Sequence, residues 1–117
     1  MIYTKQTLFD EIFRFRDLSE NWDGYGGIPP VEGVVENTIS LVEMLDERSY
    51  QYISDIYPNP HGTIGIIWER YLNMIGLEVG ISNMSYYVKT EDIIFNDNKP
   101  IDLEQIDILE NYINNVI

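Results

Sequence analysis

Ten residues, 21–30, constrain the fold of this chain more than any other stretch, and we call them the corner. They read Asn-Trp-Asp-Gly-Tyr-Gly-Gly-Ile-Pro-Pro, which places two large aromatic residues among glycines and prolines. Asn21 tolerates the left-handed conformation that ends helices, Asp-Gly is a strong turn pair, and proline presets φ for the first turn of a helix. The corner is therefore predicted to be a fixed bend between two helices, with Trp22 and Tyr25 folded back onto the core as anchors.

The corner also allows a functional interpretation. Trp and Tyr are favoured at the centres of protein interfaces, so Trp22, Asp23 and Tyr25 would form an aromatic and acidic recognition patch. The corner is thus either a structural bend or a recognition patch.

The corner resembles a motif of small bacterial and phage-borne proteins that share Asn-Trp-Asp-Gly-Tyr-Gly, here residues 21–26. The resemblance continues through Pro29, the proline-rich turn at residues 58–62 and the strand that contains Trp68. It implies that the corner belongs to the fold of that family. It carries over no activity and no site residue.

Apolar residues with helical spacing flank the corner on both sides. The pattern predicts a first helix over residues 4–18 and a second helix that begins after Pro30 and closes near Arg48. Within the first helix, Asp10 and Arg14 are placed to form an i,i+4 ion pair.

Four glutamates on the predicted second helix form what we call the acidic ridge. Glu32, Glu36, Glu43 and Glu47 fall within about 60° of one another at 100° per residue, roughly opposite the apolar stripe. Like charges at i,i+4 oppose helix stability by a few tenths of a kcal/mol, roughly, per pair. The ridge is either a docking edge for a basic partner or an ordinary solvated face.

From Tyr50 onward the apolar period changes from that of a helix to the alternation of strands. Short connections between the strands imply an antiparallel meander. The predicted strands are residues 50–57, 63–69, 72–80 and 84–90, with residues 93–95 as a short edge strand.

The chain ends in a predicted helix that Asp102 and Gln105 begin as a variant of the capping box. The whole sequence, residues 1–117, is therefore predicted to be a single α+β domain. It consists of two N-terminal helices, an antiparallel meander of about four strands and a C-terminal helix, with the helices packed on one face of the sheet.

The charge of the chain restricts its partners. Twenty acidic residues against seven basic ones give a formal charge of −13, and such a field repels phosphate backbones and anionic lipids. We therefore expect no direct binding to nucleic acid or membrane, and a basic protein or a cation as the natural complement. The alternative is that the charge only keeps the protein soluble. The sequence contains no cysteine and no apolar run long enough to span a bilayer, so a cytoplasmic location is expected.

The sequence offers little for catalysis. Nucleophilic mechanisms need an activated Ser or Cys beside a base, but His61 is the single histidine and lies in a predicted turn. Asp97 and Lys99 have the spacing of some metal nucleases, with Glu78 or Asp92 as a further ligand, yet the net charge would repel their substrate. We expect no catalytic residue, no metal and no cofactor.

Strand alternation leaves one face of the predicted sheet without helices. Ile67, Met74 and Tyr87 fall on that face together with glycines, which predicts a flat and rather apolar surface. Such surfaces mark interfaces, so we expect a homodimer or a docked partner there. The alternative is that loops of the chain itself cover it.

These observations favour a small, acidic, non-enzymatic binding protein. It would neutralise or regulate a basic protein partner, as an antitoxin, an immunity protein or a phage anti-defence protein does, through the acidic ridge and the corner. The alternative is a small-molecule-binding or accessory domain that uses Trp22 and Tyr25 as a pocket.

Overall fold

A computed structural model describes residues 3–91 and 94–117 of the chain. The helices are α1 (Lys5–Arg16), α2 (Glu32–Met44), α3 (Glu47–Tyr50) and α4 (Leu103–Val116). The strands are β1 (Ile53–Pro58), β2 (Ile64–Arg70), β3 (Asn73–Val79), β4 (Asn83–Lys89) and β5 (Ile94–Pro100). The predicted α+β class is confirmed, and the antiparallel sheet has five strands rather than about four.

Helix α1 begins at a capping box. The Thr4 side chain accepts a hydrogen bond from the Thr7 backbone, and the Thr7 side chain accepts one from the Thr4 backbone, so that two otherwise unpaired amides are satisfied. The predicted ion pair between Asp10 and Arg14 is replaced by one at i,i+3, in which Arg14 Nη2 lies 2.7 Å from Glu11 Oε1.

The predicted second helix is broken near its end. Helix α2 stops at Met44, because Leu45 is extended with φ −76° and ψ 149°. Asp46 then caps α3, and its side chain accepts a hydrogen bond from the Ser49 amide at 3.0 Å. The cap competes with continuation of the helix, since a short polar side chain offers the backbone an alternative hydrogen bond.

The sheet has the strand order β1-β2-β3-β4-β5, with each strand antiparallel to the next. Ile66, Leu77 and Tyr86 lie in register across its three central strands and are buried, which defines the inner face. Strand β5 continues to Pro100, well past the predicted edge strand, of which Ile93 lies outside the described residues.

The inner face joins the buried side of the helices in one hydrophobic core. Helix α2 contacts β2 and β3, α4 contacts β3, and α1 contacts α2 and β1. Trp68 is fully buried there, and its indole Nε1 donates a hydrogen bond to the Ser49 carbonyl at 3.0 Å. The predicted cap of α4 is confirmed, because Asp102 accepts a hydrogen bond from the Gln105 amide at 2.8 Å. Among the described helices, none has the length and apolar character needed to cross a membrane.

Candidate functional site

The corner is held by its own polar groups. Asn21, Gly24 and Gly26 have φ values of 62°, 79° and 80°, so the chain reverses in the left-handed region. One carboxylate oxygen, Asp23 Oδ1, accepts hydrogen bonds from the amides of Tyr25 at 2.9 Å and residue 27 at 2.8 Å. These amides hold the pKa of Asp23 below its usual value, since they stabilise the carboxylate.

The predicted aromatic anchoring of the corner is wrong for Tyr25, which is 93% exposed. Trp22 is half-buried rather than buried, and its indole Nε1 is shielded from solvent without a hydrogen-bond partner in the described part of the chain. A backbone contact attaches the corner instead, because the Ile28 amide donates to the Pro60 carbonyl at 2.6 Å. The loop therefore needs no ring from Tyr25 to hold its shape.

The acidic ridge is shorter than predicted. Glu32, Glu36 and Glu43 are exposed along α2, but Glu47 belongs to α3, beyond the break at Leu45. The four carboxylates therefore do not follow one helix face, because the cap of α3 redirects the chain before Glu47.

The sheet face opposite the core is what we call the open face. Ile67, Gly76 and Tyr87 lie in register on it, as predicted. Met74 shares this face, and the Tyr87 hydroxyl donates a hydrogen bond to Met74 Sδ at 3.1 Å. The role of Ile67, Met74 and Tyr87 in dimerisation stays a prediction.

The rings of two tyrosines cover glycines on the open face. Tyr57 is paired with Gly65, and Tyr87 is paired with Gly76. A Cβ added to either glycine would overlap the ring of the tyrosine opposite it. Both rings therefore occupy the space that the missing side chains of the two glycines leave on the open face.

Both tyrosines line a concavity of about 720 Å³ on the open face, which we call the tyrosine seat. It crosses from β3 to β5 and is bounded by β1 and by the turn after it. Its lining includes Tyr57, Asn59, Glu78, Ser85, Tyr87 and Asn98. The seat as a whole is not predictable from the sequence, since its parts come together only through the strand register.

Glu78 stands in the seat with a fixed orientation. Its Oε2 atom accepts a hydrogen bond from Thr63 Oγ1 at 2.6 Å, lies 2.5 Å from His61 Nε2, and receives a longer bond from Asn59 Nδ2 at 3.4 Å. The Thr63 hydroxyl, followed by His61, keeps the pKa of Glu78 below its usual value. Burial raises the pKa of Tyr57, so its phenol stays protonated. The seat therefore combines a carboxylate with a neutral phenol.

The hydrogen bonds among Thr63, His61 and Glu78 differ from those of a nucleophilic triad. In a triad the hydroxyl donates to one ring nitrogen of histidine, and the other ring nitrogen donates to the carboxylate. Here the Thr63 hydroxyl donates to Glu78 Oε2, and His61 Nε2 approaches the same oxygen. Thr63 Oγ1 also lies 3.2 Å from His61 Nε2, but this one ring nitrogen contacts both the hydroxyl and the carboxylate, so the relay through two ring nitrogens is not formed.

The nuclease grouping is assembled only in part: Lys99 Nζ lies 3.5 Å from Asp97 Oδ2, but Glu78 does not join them. Glu78 is in register with Ser85, whereas Asp97 is in register with the inner-face residue Tyr86. The side chains of Glu78 and Asp97 therefore leave opposite faces of the sheet. Asp92 lies outside the described residues, and within the described ranges no cluster of three or more His, Cys, Asp or Glu residues is placed to bind a metal.

Comparisons of this chain with protein-family models, with curated proteins and with solved structures gave no match. The resemblance of the corner to bacterial and phage-borne proteins therefore stays a prediction. Function has to be inferred from the chemistry of the seat, the corner and the ridge.

Proposed function

We propose that this protein is a non-enzymatic binding protein of the cytoplasm that neutralises or regulates a basic protein partner, as antitoxins, immunity proteins or phage anti-defence proteins do. We further propose that the partner docks on the open face. The observation that carries the proposal is the tyrosine seat, a concave surface that is lined by the oriented carboxylate of Glu78 and by two aromatic rings.

Charge supports a cationic partner over an anionic one. The chain carries a formal charge of −13, and the described lining of the seat contains no lysine or arginine. Lys89 is on the open face but at its far end, in register with Met74 and Ile94. A basic surface would therefore meet a complementary potential, which speeds association and fixes orientation.

The proposal requires that the helices lie behind the inner face and leave the open face free. Support comes from the shared core of the helices with the inner face, and from the exposure of Ser54, Glu69, Ser85 and Asn98 on the opposite side. The contacts of Thr63, His61 and Glu78 support the non-enzymatic part of the proposal, since the hydroxyl donates to the carboxylate and the His61 nitrogen nearest to it also contacts that carboxylate.

Two variants with the same change in charge test where the partner docks. Ser85→Lys/Asn98→Lys adds two positive charges in the seat, whereas Glu36→Gln/Glu43→Gln removes two negative charges from the acidic ridge. We expect the wild-type protein to capture a basic protein from its native host at low salt, the seat variant to lose it and the ridge variant to keep it. The opposite pattern would place docking on the ridge, and failure to capture any basic protein would contradict the function.

A small-molecule-binding function is the second candidate. The seat has a volume of about 720 Å³, within the range of roughly 300–1,000 Å³ that is common for ligand pockets. This observation moves the candidate from Trp22 and Tyr25 to the open face. Native mass spectrometry of gently purified protein is the test, and a retained metabolite that Ser85→Lys expels would favour this candidate.

A homodimer through Ile67, Met74 and Tyr87 competes for the same surface. Two copies would bring like charges of −13 each together, which opposes association. Light scattering over a concentration series separates the two arrangements. Growth in mass that the seat variant Ser85→Lys/Asn98→Lys suppresses would assign the open face to self-association.

A further inference from the structure

We infer that the tyrosine seat receives one arginine side chain of the partner, with its guanidinium held by Glu78 between the rings of Tyr57 and Tyr87. The inference rests on the proposed function and deepens it, because it names the group that the open face recognises.

The positions of the rings define the shape of the seat. Gly65, which Tyr57 covers, is directly opposite Glu78 in the β2–β3 pairing. Gly76, which Tyr87 covers, lies two residues before Glu78 and so on the same face of β3. Both aromatic rings therefore cover positions that neighbour Glu78 on the open face. A flat cation that reaches the carboxylate also lies beside a ring, where the ring quadrupole attracts it.

Glu78 has one oxygen available for such a cation. The described hydrogen bonds from Thr63, His61 and Asn59 all end on Oε2, and none within the described residues ends on Oε1. Because the side chain is already oriented, less freedom is lost when a ligand binds. Ser85 and Asn98 offer further oxygen acceptors along the wall of the seat.

The seat offers several hydrogen-bond acceptors and an aromatic surface, and this combination favours arginine over lysine. A guanidinium has five N–H donors in one plane, stacks on aromatic faces and is weakly hydrated, whereas an ammonium is a compact and strongly hydrated charge. The chain uses the same contact elsewhere. The Arg70 guanidinium lies 4.9 Å from the centroid of the Tyr52 ring, and that of Arg16 lies 5.1 Å from the centroid of Phe13.

Nuclear magnetic resonance of the uniformly ¹⁵N-labelled full chain tests the inference. The probes are acetyl-Gly-Arg-Gly-amide, the matched lysine peptide and the matched citrulline peptide, in which the guanidinium is replaced by a neutral urea of nearly the same shape. We expect saturable shifts from the arginine peptide at the amides of Gly76, Glu78 and Ser85, several-fold weaker binding of the lysine peptide and no binding of the citrulline peptide.

Two variants keep the test decisive. Glu78→Gln should abolish the shifts because it removes the charge but keeps the size of the side chain. Ser85→Lys leaves Glu78 in place and should abolish them by occupying the seat, so the inference stays testable if Glu78→Gln fails to fold. Unchanged amide positions on the inner face, for example at Leu77, show that a variant is folded.

Three results would overturn the inference: equal shifts from the citrulline peptide, shifts confined to α2 or the corner, or no shift at large excess of the arginine peptide. If the arginine peptide does not bind but Ser85→Lys/Asn98→Lys still prevents capture of the basic partner, the inference is wrong and the proposed function stands. If capture is insensitive to both the seat and the ridge variants, the proposed docking itself is wrong.

Discussion

The corner and the tyrosine seat are both built from tyrosine beside glycine, and they use glycine for different reasons. In the corner, Gly24 and Gly26 adopt positive φ, and a Cβ added to either would have no neighbour within 4 Å. In the seat, Gly65 and Gly76 are in ordinary strands, but a Cβ there would collide with a tyrosine ring. Glycine thus provides backbone freedom in the corner and space in the seat.

The tyrosines follow the same division. Tyr25, between the two corner glycines, is 93% exposed, whereas Tyr57 and Tyr87 are half-buried against the strands. A conspicuous motif therefore forms a self-contained turn, while less conspicuous residues from separate strands form a concave surface. Each prediction below tests one part of this contrast.

The largest expected effect compares one tryptophan from each region. Trp68→Ala should lower the free energy of unfolding by about 3–5 kcal/mol, the usual range for emptying a buried aromatic site, since Trp68 is 0% exposed. Trp22→Ala should cost less, because part of the Trp22 side chain stays exposed to solvent. Urea unfolding followed by circular dichroism measures both, and Trp68→Phe is the conservative control. Equal losses would show that the corner contributes as much to the core as the sheet does.

The next effect tests the role of space in the seat. Gly76→Ala should destabilise the protein by about 1–3 kcal/mol, as overpacking does, because the new methyl group meets the Tyr87 ring. In a protein that already carries Tyr87→Ala, the added change Gly76→Ala should cost little, because the ring it would meet has been removed. Additive losses in this double-mutant cycle would mean that the ring does not lie on the glycine.

A substitution that removes backbone freedom in the corner should cause a smaller loss of stability. Gly24→Ala should cost about 1 kcal/mol, because an L side chain is disfavoured at a φ of 79° whatever the space around it. Gly33→Ala is the control, since Gly33 lies in α2 with nothing within 4 Å of an added Cβ. That control should stabilise the protein by roughly 0.5–1 kcal/mol. A harmless Gly24→Ala would contradict the assigned turn.

The pH dependence of stability tests Glu78. Its pKa is lowered in the folded state, so its contribution is present above the unfolded pKa and is lost as pH falls through the folded value. Wild type should therefore exceed Glu78→Gln in stability near neutral pH and converge with it in acid. The difference is modest, because the side chain is 37% exposed and water screens its pairing. Glu36→Gln, on the exposed side of α2, is the control, and the same convergence there would remove the special role of Glu78.

The smallest effect concerns the acidic ridge. Glu36→Lys places a lysine four residues after Glu32 on α2 and should stabilise the protein by about 0.2–0.5 kcal/mol. If the partner docks in the seat, its association rate should fall much less than it does for Ser85→Lys at the same ionic strength. Stopped-flow rates at two salt concentrations measure this, and an equal fall in both variants would restore the ridge as a docking surface.

Local signals predicted most of the secondary structure. Helix α4 begins at the cap that Asp102 forms with Gln105, and the alternating strands follow their period. The break at Leu45 was missed because the apolar stripe continues through it, while the cap from Asp46 to Ser49 decides the local conformation. Strand β5 was shortened because Asn and Asp favour turns, yet pairing with β4 holds them extended.

The seat could be predicted only in part. Alternation placed Tyr87 on the open face, but the contact of Tyr57 with Gly65 depends on how β1 and β2 pair. The orientation of Glu78 depends on a turn that belongs to other strands, through Thr63 and His61. Contacts of this kind are set by tertiary register, which propensity and periodicity do not contain.

The strand order has a consequence for the rate at which the protein folds. Every strand pairs with its neighbour in sequence, so each pairing closes a short loop at little entropic cost, and such local topologies fold quickly. The seat, however, takes Tyr57 from β1 and Asn98 from β5, the two outermost strands. In a refolding experiment, burial of Trp68 in β2 should therefore precede competence to bind the partner, with a lag that measures the docking of the outer strands.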